Sequence, residues 1–160
     1  MLCSPSLCAK GEQEVKDAIY VLNGPNLNRL GKREPEIYGR TMLAEVEAMC
    51  RKEAGDRPLE FRQTNAEGQM IDWIHEATDG GGAGIVINPA GWTFTSIALM
   101  DALKMFSGPI IELHISNIHR RESLYHNSLV SKVATSVIAG LGANGYRVAV
   151  ASIKEMLAKK

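Results

Sequence analysis

The sequence predicts an α/β fold, a three-layer sandwich with helices on both faces of a five-stranded parallel sheet. Two observations predict it. Short apolar runs of strand length alternate along the chain with segments whose apolar residues recur at helical spacing. The connections are short, except after the first and fourth strand-like runs, as in chains built from strand–helix–strand units.

Residues 18–22 read as a short buried strand. Residues 41–54 read as a helix with Thr41 as its cap and Leu43, Val46, Met49 and Cys50 on one face. Residues 59–64 alternate like a second strand. Residues 68–78 form a second helix, with Met70, Ile71, Trp73 and Ile74 as core candidates. The turn Asp79-Gly80-Gly81-Gly82 introduces a third strand at 84–87. A helix over 95–106 is broken by Gly108-Pro109, and strands follow at 110–113 and 134–139. A closing helix covers 142–157 and runs into basic residues that suit its dipole. Five strands favour the flavodoxin-like order over a full dinucleotide-binding fold. There is no internal repeat. The expected organisation is a flexible leader over 1–17 and a single catalytic domain over 18–160.

With 160 residues, the chain is long enough for one domain with a real core. Eighteen basic residues balance eighteen acidic ones, so charge predicts neither a nucleic-acid footprint nor an anionic membrane surface. No apolar run has the length of a transmembrane helix. Three cysteines, Cys3, Cys8 and Cys50, imply no disulfide framework and point to a reducing compartment, the cytoplasm. The first residues lack the basic start and continuous apolar core of a signal peptide. His75, His119 and His126 have no metal-ligand spacing, and the glycines at 80–84 lack the Gly-Lys-Ser/Thr ending of a phosphate loop, so neither carries a metal or nucleotide expectation.

The candidate chemistry lies elsewhere. In an open parallel sheet, ligands bind beyond the carboxyl ends of the strands, at the point where strand order reverses. Three strand ends carry polar clusters. The first strand runs into a long loop over 23–39 with Asn23, Asn26, Arg33 and Tyr38; the third ends at Asn88; the fourth carries Glu112, His114 and Ser116, then Arg120 and Arg121. A loop of that length inside a compact domain is usually functional. If the order is right, all three clusters converge on one pocket.

Several ordered motifs then carry a resemblance. They are Asn23-Gly24-Pro25-Asn26-Leu27, Arg33-Glu34-Pro35, Tyr38-Gly39, Ile87-Asn88-Pro89-Ala90-Gly91, Glu112-Leu113-His114-Ile115-Ser116-Asn117-Ile118-His119 and Gly140-Leu141-Gly142 with Gly145-Tyr146. Together they resemble the type II 3-dehydroquinate dehydratase family, in one register over residues 18–153. The resemblance implies a flavodoxin-like fold, no cofactor, no metal, and trimers assembled into a twelve-subunit shell. It implies a lyase that removes water in trans from 3-dehydroquinate through an enolate, giving 3-dehydroshikimate, in either the biosynthetic shikimate pathway or quinate catabolism. By that resemblance Tyr38 is the base and Arg33 lowers its pKa. Asn26 holds the water that stabilises the enolate. His114 is the general acid, with Glu112 beside it. Asn88, Ser116 and the Ile115 amide grip the carboxylate, Arg121 lies near the base, and Asp101 reaches a neighbouring subunit's pocket.

A tyrosine base must meet a physical requirement. A phenol titrates near 10, so bringing it to neutrality takes ~4 kcal/mol. One cation at ~4 Å contributes ~4 kcal/mol at an effective dielectric of ~20, and desolvation of the phenolate opposes it. Two arginines meet that requirement, and Arg33 and Arg121 are the pair available. An imidazole, with an ordinary pKa of ~6.5, suits a donor near neutral pH.

The chain departs from the family pattern at three places. Phe94 stands where the family has histidine, Tyr125 where it has arginine, and Met100 where arginine is common. By resemblance, the first two face hydroxyls of the substrate ring. These departures raise two alternatives: a sister lyase acting on an amino- or deoxy-analogue, and a homologue that binds a shikimate-like acid without turnover.

Overall fold

The computed structural model describes residues 16–32, 36 and 39–159. Five strands form one sheet: β1 (Ile19–Asn23), β2 (Leu59–Gln63), β3 (Gly84–Asn88), β4 (Ile110–His114) and β5 (Ser136–Ala139). All are parallel, in the order β2-β1-β3-β4-β5, the flavodoxin-like order expected from the strand count. Around the sheet, the described residues form the helices α1 (Leu43–Ala54), α2 (Glu67–Asp79), α3 (Trp92–Thr95), α4 (Ile97–Lys104) and α5 (Asn144–Ala158).

The strands alternate their side chains between the two faces. Ile19, Val21, Val86, Ile111 and Leu113 point to one face, where α1 and α5 bring Val46, Cys50, Tyr146, Val150 and Ile153. Tyr20, Leu22, Ile85 and Ile87 point to the other, where α2 and α4 bring Met70, Ile74, Leu99 and Leu103. Burial on both sides explains why the central strands are mostly apolar. Gly84 is required by closeness: a Cβ there would meet Ile153 Cγ2 at 2.7 Å.

Three local expectations are corrected. Thr41 does not cap the first helix. The cap is Met42, whose own N–H donates to the Glu45 carboxylate at 2.7 Å, so the acid at the third helical position satisfies the donor of the cap residue. The helix expected over 95–106 is two helices. Ser96 takes an extended conformation between them, and its hydroxyl accepts from the Leu99 N–H at 2.9 Å, which starts α4 afresh. Trp73 is half-buried rather than core. It packs on the Arg62 guanidinium, 5.7 Å from ring centroid to carbon. The closing helix ends, as expected, in a basic residue, its cap Lys159. The leader lies mostly outside the described residues.

The order of the sheet positions the site. From β1 the chain steps outward to β2, then returns to the other side of β1 as β3, so the reversal falls between β1 and β3. Their last residues, Asn23 and Asn88, are register partners. Gly24 lets the two loops beyond them touch. Its N–H donates to the Asn88 carbonyl at 2.8 Å, and a Cβ on it would stand 2.7 Å from the Pro89 oxygen.

Candidate active site

A cavity of about 230 Å³ opens beyond the carboxyl ends of β1, β3 and β4. Of the residues singled out in the sequence, Asn26, Asn88, Phe94, His114, Ile115, Ser116, Arg121 and Tyr125 line it. The sheet order therefore brings three distant segments to one place. Glu112 does not line the cavity. It lies one layer below, fully buried beneath His114. Asp101 is exposed on α4 and paired with Lys104 at 2.8 Å, away from this cavity. Arg33 and Tyr38 lie outside the described residues.

The loop after β1 is tied to β2. Asn26 takes a left-handed conformation (φ 68°), which asparagine tolerates, and its N–H donates to Asn65 Oδ1 at 2.9 Å. Gln63 donates to the Gly24 carbonyl at 3.2 Å and to Asn65 Oδ1 at 3.1 Å. After β3 the Asn88 side chain closes a turn by accepting from the Ala90 N–H at 3.3 Å, and Ala90 sits at φ 50°. A left-handed alanine costs roughly 1–2 kcal/mol. The cost falls on a residue that lines the cavity.

On the β4 side, one carboxylate organises the site. Glu112 Oε1 accepts from Thr93 Oγ1 at 2.5 Å, from Ser128 Oγ at 2.8 Å and from His114 Nε2 at 2.7 Å. Ser131 donates to Oε2. Burial pushes the Glu112 carboxyl upward, but the bonds from His114, Ser131 and Thr93 outweigh it and hold the group below the usual carboxylate range. An ionised Glu112 accepts and cannot donate, so Nε2 of His114 carries its proton toward the glutamate and Nδ1 is the nitrogen left to exchange a proton. Sequence reading missed Thr93, Ser128 and Ser131. The available signal was Glu112 itself: an acid inside the apolar run Ile110-Ile111-Glu112-Leu113 needs buried donors from elsewhere.

Two of the three departures, Phe94 and Tyr125, form one wall. The Phe94 ring stacks on His114 with centroids 6.3 Å apart, and it meets Tyr125 edge-on at 5.4 Å. The Arg121 guanidinium carbon lies 3.9 Å from the Tyr125 ring centroid, a close cation–π contact. Tyr125 thus offers a face to the arginine as well as filling space.

Residues 17–154 match the family described as Dehydroquinase class II. The chain belongs to the class II dehydroquinase family. Among relatives, it is 54% identical over 146 residues to a 3-dehydroquinate dehydratase of Methylobacterium radiotolerans, covering 90% of this chain and 97% of that one. It is 60% identical over 131 residues to 3-dehydroquinate dehydratase 2 of Agrobacterium fabrum, covering 81% and 88%. The type II dehydroquinase structure from Propionibacterium acnes superposes with a TM-score of 0.82 at 44% identity, covering 91% of this chain and 99% of that one. A class II dehydroquinase takes a small cyclic keto acid as substrate, and the cavity here joins polar groups to an aromatic wall at the sheet's reversal point. No helix among the described residues is long and apolar enough to cross a membrane.

Proposed function

We propose that the chain is a hydro-lyase converting 3-dehydroquinate to 3-dehydroshikimate and water. The observation that carries the reading is the His114–Glu112 pair at the end of β4. A buried, ionised carboxylate holds one imidazole nitrogen at 2.7 Å, and the imidazole lines the cavity. That arrangement delivers a proton to a leaving hydroxyl and recovers it afterwards.

In the proposed reaction, Tyr38 as phenolate removes the proton next to the ketone, and the electrons pass to the ketone oxygen to form the enolate. Arg33 and Arg121 stabilise the phenolate. Asn26 holds a water on the enolate oxygen. The enolate collapses, the carbon–hydroxyl bond breaks on the other side, and His114 protonates the departing oxygen. Asn88, Ser116 and the Ile115 amide hold the ring carboxylate. Phe94 and Tyr125 face the ring hydroxyls. Asp101, exposed on α4, is assigned to a neighbouring subunit's pocket in a homo-oligomer built from trimers, with twelve subunits as the expected total. The cytoplasm is the proposed compartment, from cysteine usage.

Relatives named 3-dehydroquinate dehydratase at 54 and 60% identity favour the parent ring over an amino- or deoxy-analogue. Turnover of 3-dehydroquinate, followed as the conjugated enone absorbance, tests the reading. Tyr38→Phe is expected to remove measurable turnover while leaving the fold intact. No turnover by the unmodified chain, or full turnover by the variant, would sink it. Sedimentation of the purified chain tests the assembly: a monomer rules out a shared pocket.

A further inference from the structure

Tyr146 touches no part of the cavity and the reaction makes no use of it, yet it is fully buried with its hydroxyl directly behind Asn88. The hydroxyl donates to Asn23 Oδ1 at 2.7 Å and accepts from Asn88 Nδ2 at 2.9 Å. We propose that Tyr146 is a positioning residue that sets which way the Asn88 amide faces, and so makes Asn88 a donor to the substrate carboxylate. The inference rests on the reading of Asn88 as a carboxylate-binding group.

The direction of each bond follows from the chemistry of the partners. Asn23 Nδ2 donates to the Arg62 carbonyl at 3.0 Å, and a carbonyl only accepts, so the Asn23 amide has one possible orientation. Its Oδ1 then faces Tyr146 and must receive the phenol proton. With that proton committed, the Tyr146 oxygen can only accept, so Asn88 must turn its NH2 toward it. The Asn88 Oδ1 takes the Ala90 N–H on the other side, as observed. Bonds running from Ala90 through Asn88, Tyr146 and Asn23 to Arg62 therefore all point one way. The second Nδ2 hydrogen of Asn88 is spent on no described residue, and Asn88 lines the cavity. The reversed amide would present a carbonyl oxygen to an anionic carboxylate. Burial pushes the Tyr146 phenol well above its ordinary range, so it stays protonated wherever the enzyme works. The placement follows from the fold: Asn23 and Asn88 are register partners across the reversal point, and α5 lays Tyr146 beneath both.

The experiment compares steady-state kinetics on 3-dehydroquinate for Tyr146→Phe, Asn88→Ala and Val150→Ala. Val150→Ala is a cavity variant of the same core cluster and controls for lost stability. Tyr146→Phe removes one oxygen. It is expected to raise KM on the order of tenfold with kcat changed less than about twofold, the scale of one misdirected hydrogen bond. Asn88→Ala raises KM at least as much, and adding Tyr146→Phe to it has no further effect. Val150→Ala leaves KM unchanged. If Tyr146→Phe does not fold, Asn23→Ala removes the acceptor that orients the phenol and gives the same split. An unchanged KM in Tyr146→Phe, beside a raised KM in Asn88→Ala, overturns the inference and leaves the carboxylate reading standing. An unchanged KM in Asn88→Ala overturns both.

Discussion

Among the described residues, two carboxylates are held below the usual carboxylate range, by opposite means. Glu76, on α2, lies against Arg62 of β2, with bonds of 2.6 and 2.7 Å to the guanidinium. Tyr20 adds a bond at 3.3 Å, Glu60 shares the same arginine, and the cluster is partly open to solvent. Glu112 is fully buried and has no cation among its described partners except a histidine that can carry charge. Three hydroxyls do the rest. The difference separates structure from function. The Arg62 guanidinium pairs directly with Glu76, so the charge of that carboxylate is spent on its cation. Hydroxyls solvate a carboxylate without neutralising it, so the full negative charge of Glu112 acts on His114. On the proposed reading, the buried carboxylate compensated by dipoles serves proton transfer, and the one compensated by a cation is a brace.

The largest expected effect tests that distinction directly. Glu112→Gln keeps the shape and removes the charge, leaving His114 without an anionic partner. Turnover of 3-dehydroquinate is expected to fall on the order of 10²-fold or more, the scale of a general acid's contribution. Glu76→Gln makes the same chemical change in the brace. It is expected to leave kcat unaltered and to cost about 1 kcal/mol in urea unfolding, reduced by the cluster's partial exposure. Equal kinetic losses in the two variants would erase the comparison.

A smaller effect sharpens it. Ser131 supplies the one described bond to Glu112 Oε2. Ser131→Ala is expected to lower kcat about threefold to tenfold, because Oε1 retains Thr93 and Ser128 while the carboxylate loses its second anchor. Ser131→Thr keeps a hydroxyl and should recover most of the loss. A variant whose kcat does not move would show that Oε1 alone holds the glutamate.

The sequence made the fold legible because the information is local. Alternation of period 2 and period 3.6, with Gly108-Pro109 and the glycines of 80–82 as breaks, is enough to count strands and infer their order. The same order gathers Asn26, Asn88, His114 and Arg121 into one cavity. Supporting contacts are different in kind. Thr93, Ser128 and Ser131 lie 16 to 19 residues from Glu112, and Tyr146 lies 123 residues from Asn23. A hydroxyl in a sequence has no direction, so nothing local marks which of many will reach a buried acid. Ser96 shows the limit even at short range: its side chain competes for the helix backbone, and one helix becomes two.

The smallest expected effect lies in the pH dependence of the brace. Burial, then the neighbouring Glu76, push the Tyr20 phenol up to about 12. A phenol in the unfolded chain titrates near 10. Above pH 10 the unfolded state gives up this proton while the native state keeps it, so the native state binds more protons and stability falls as pH rises toward about 12. Below pH 10 both states are protonated and Tyr20 contributes no slope. Glu76 acts at the other end: its lowered value stabilises the fold above the ordinary carboxylate pKa of ~4.3, and that contribution is lost as pH falls through the native value. Urea midpoints at pH 9, 10 and 11 should therefore decline less steeply in Tyr20→Phe than in the unmodified chain. A slope remains, because burial raises Tyr146 in the same direction. Identical slopes would remove Tyr20 from the brace. An altered kcat in Tyr20→Phe near neutrality would do more, by showing that the cluster around Arg62 reaches the active site.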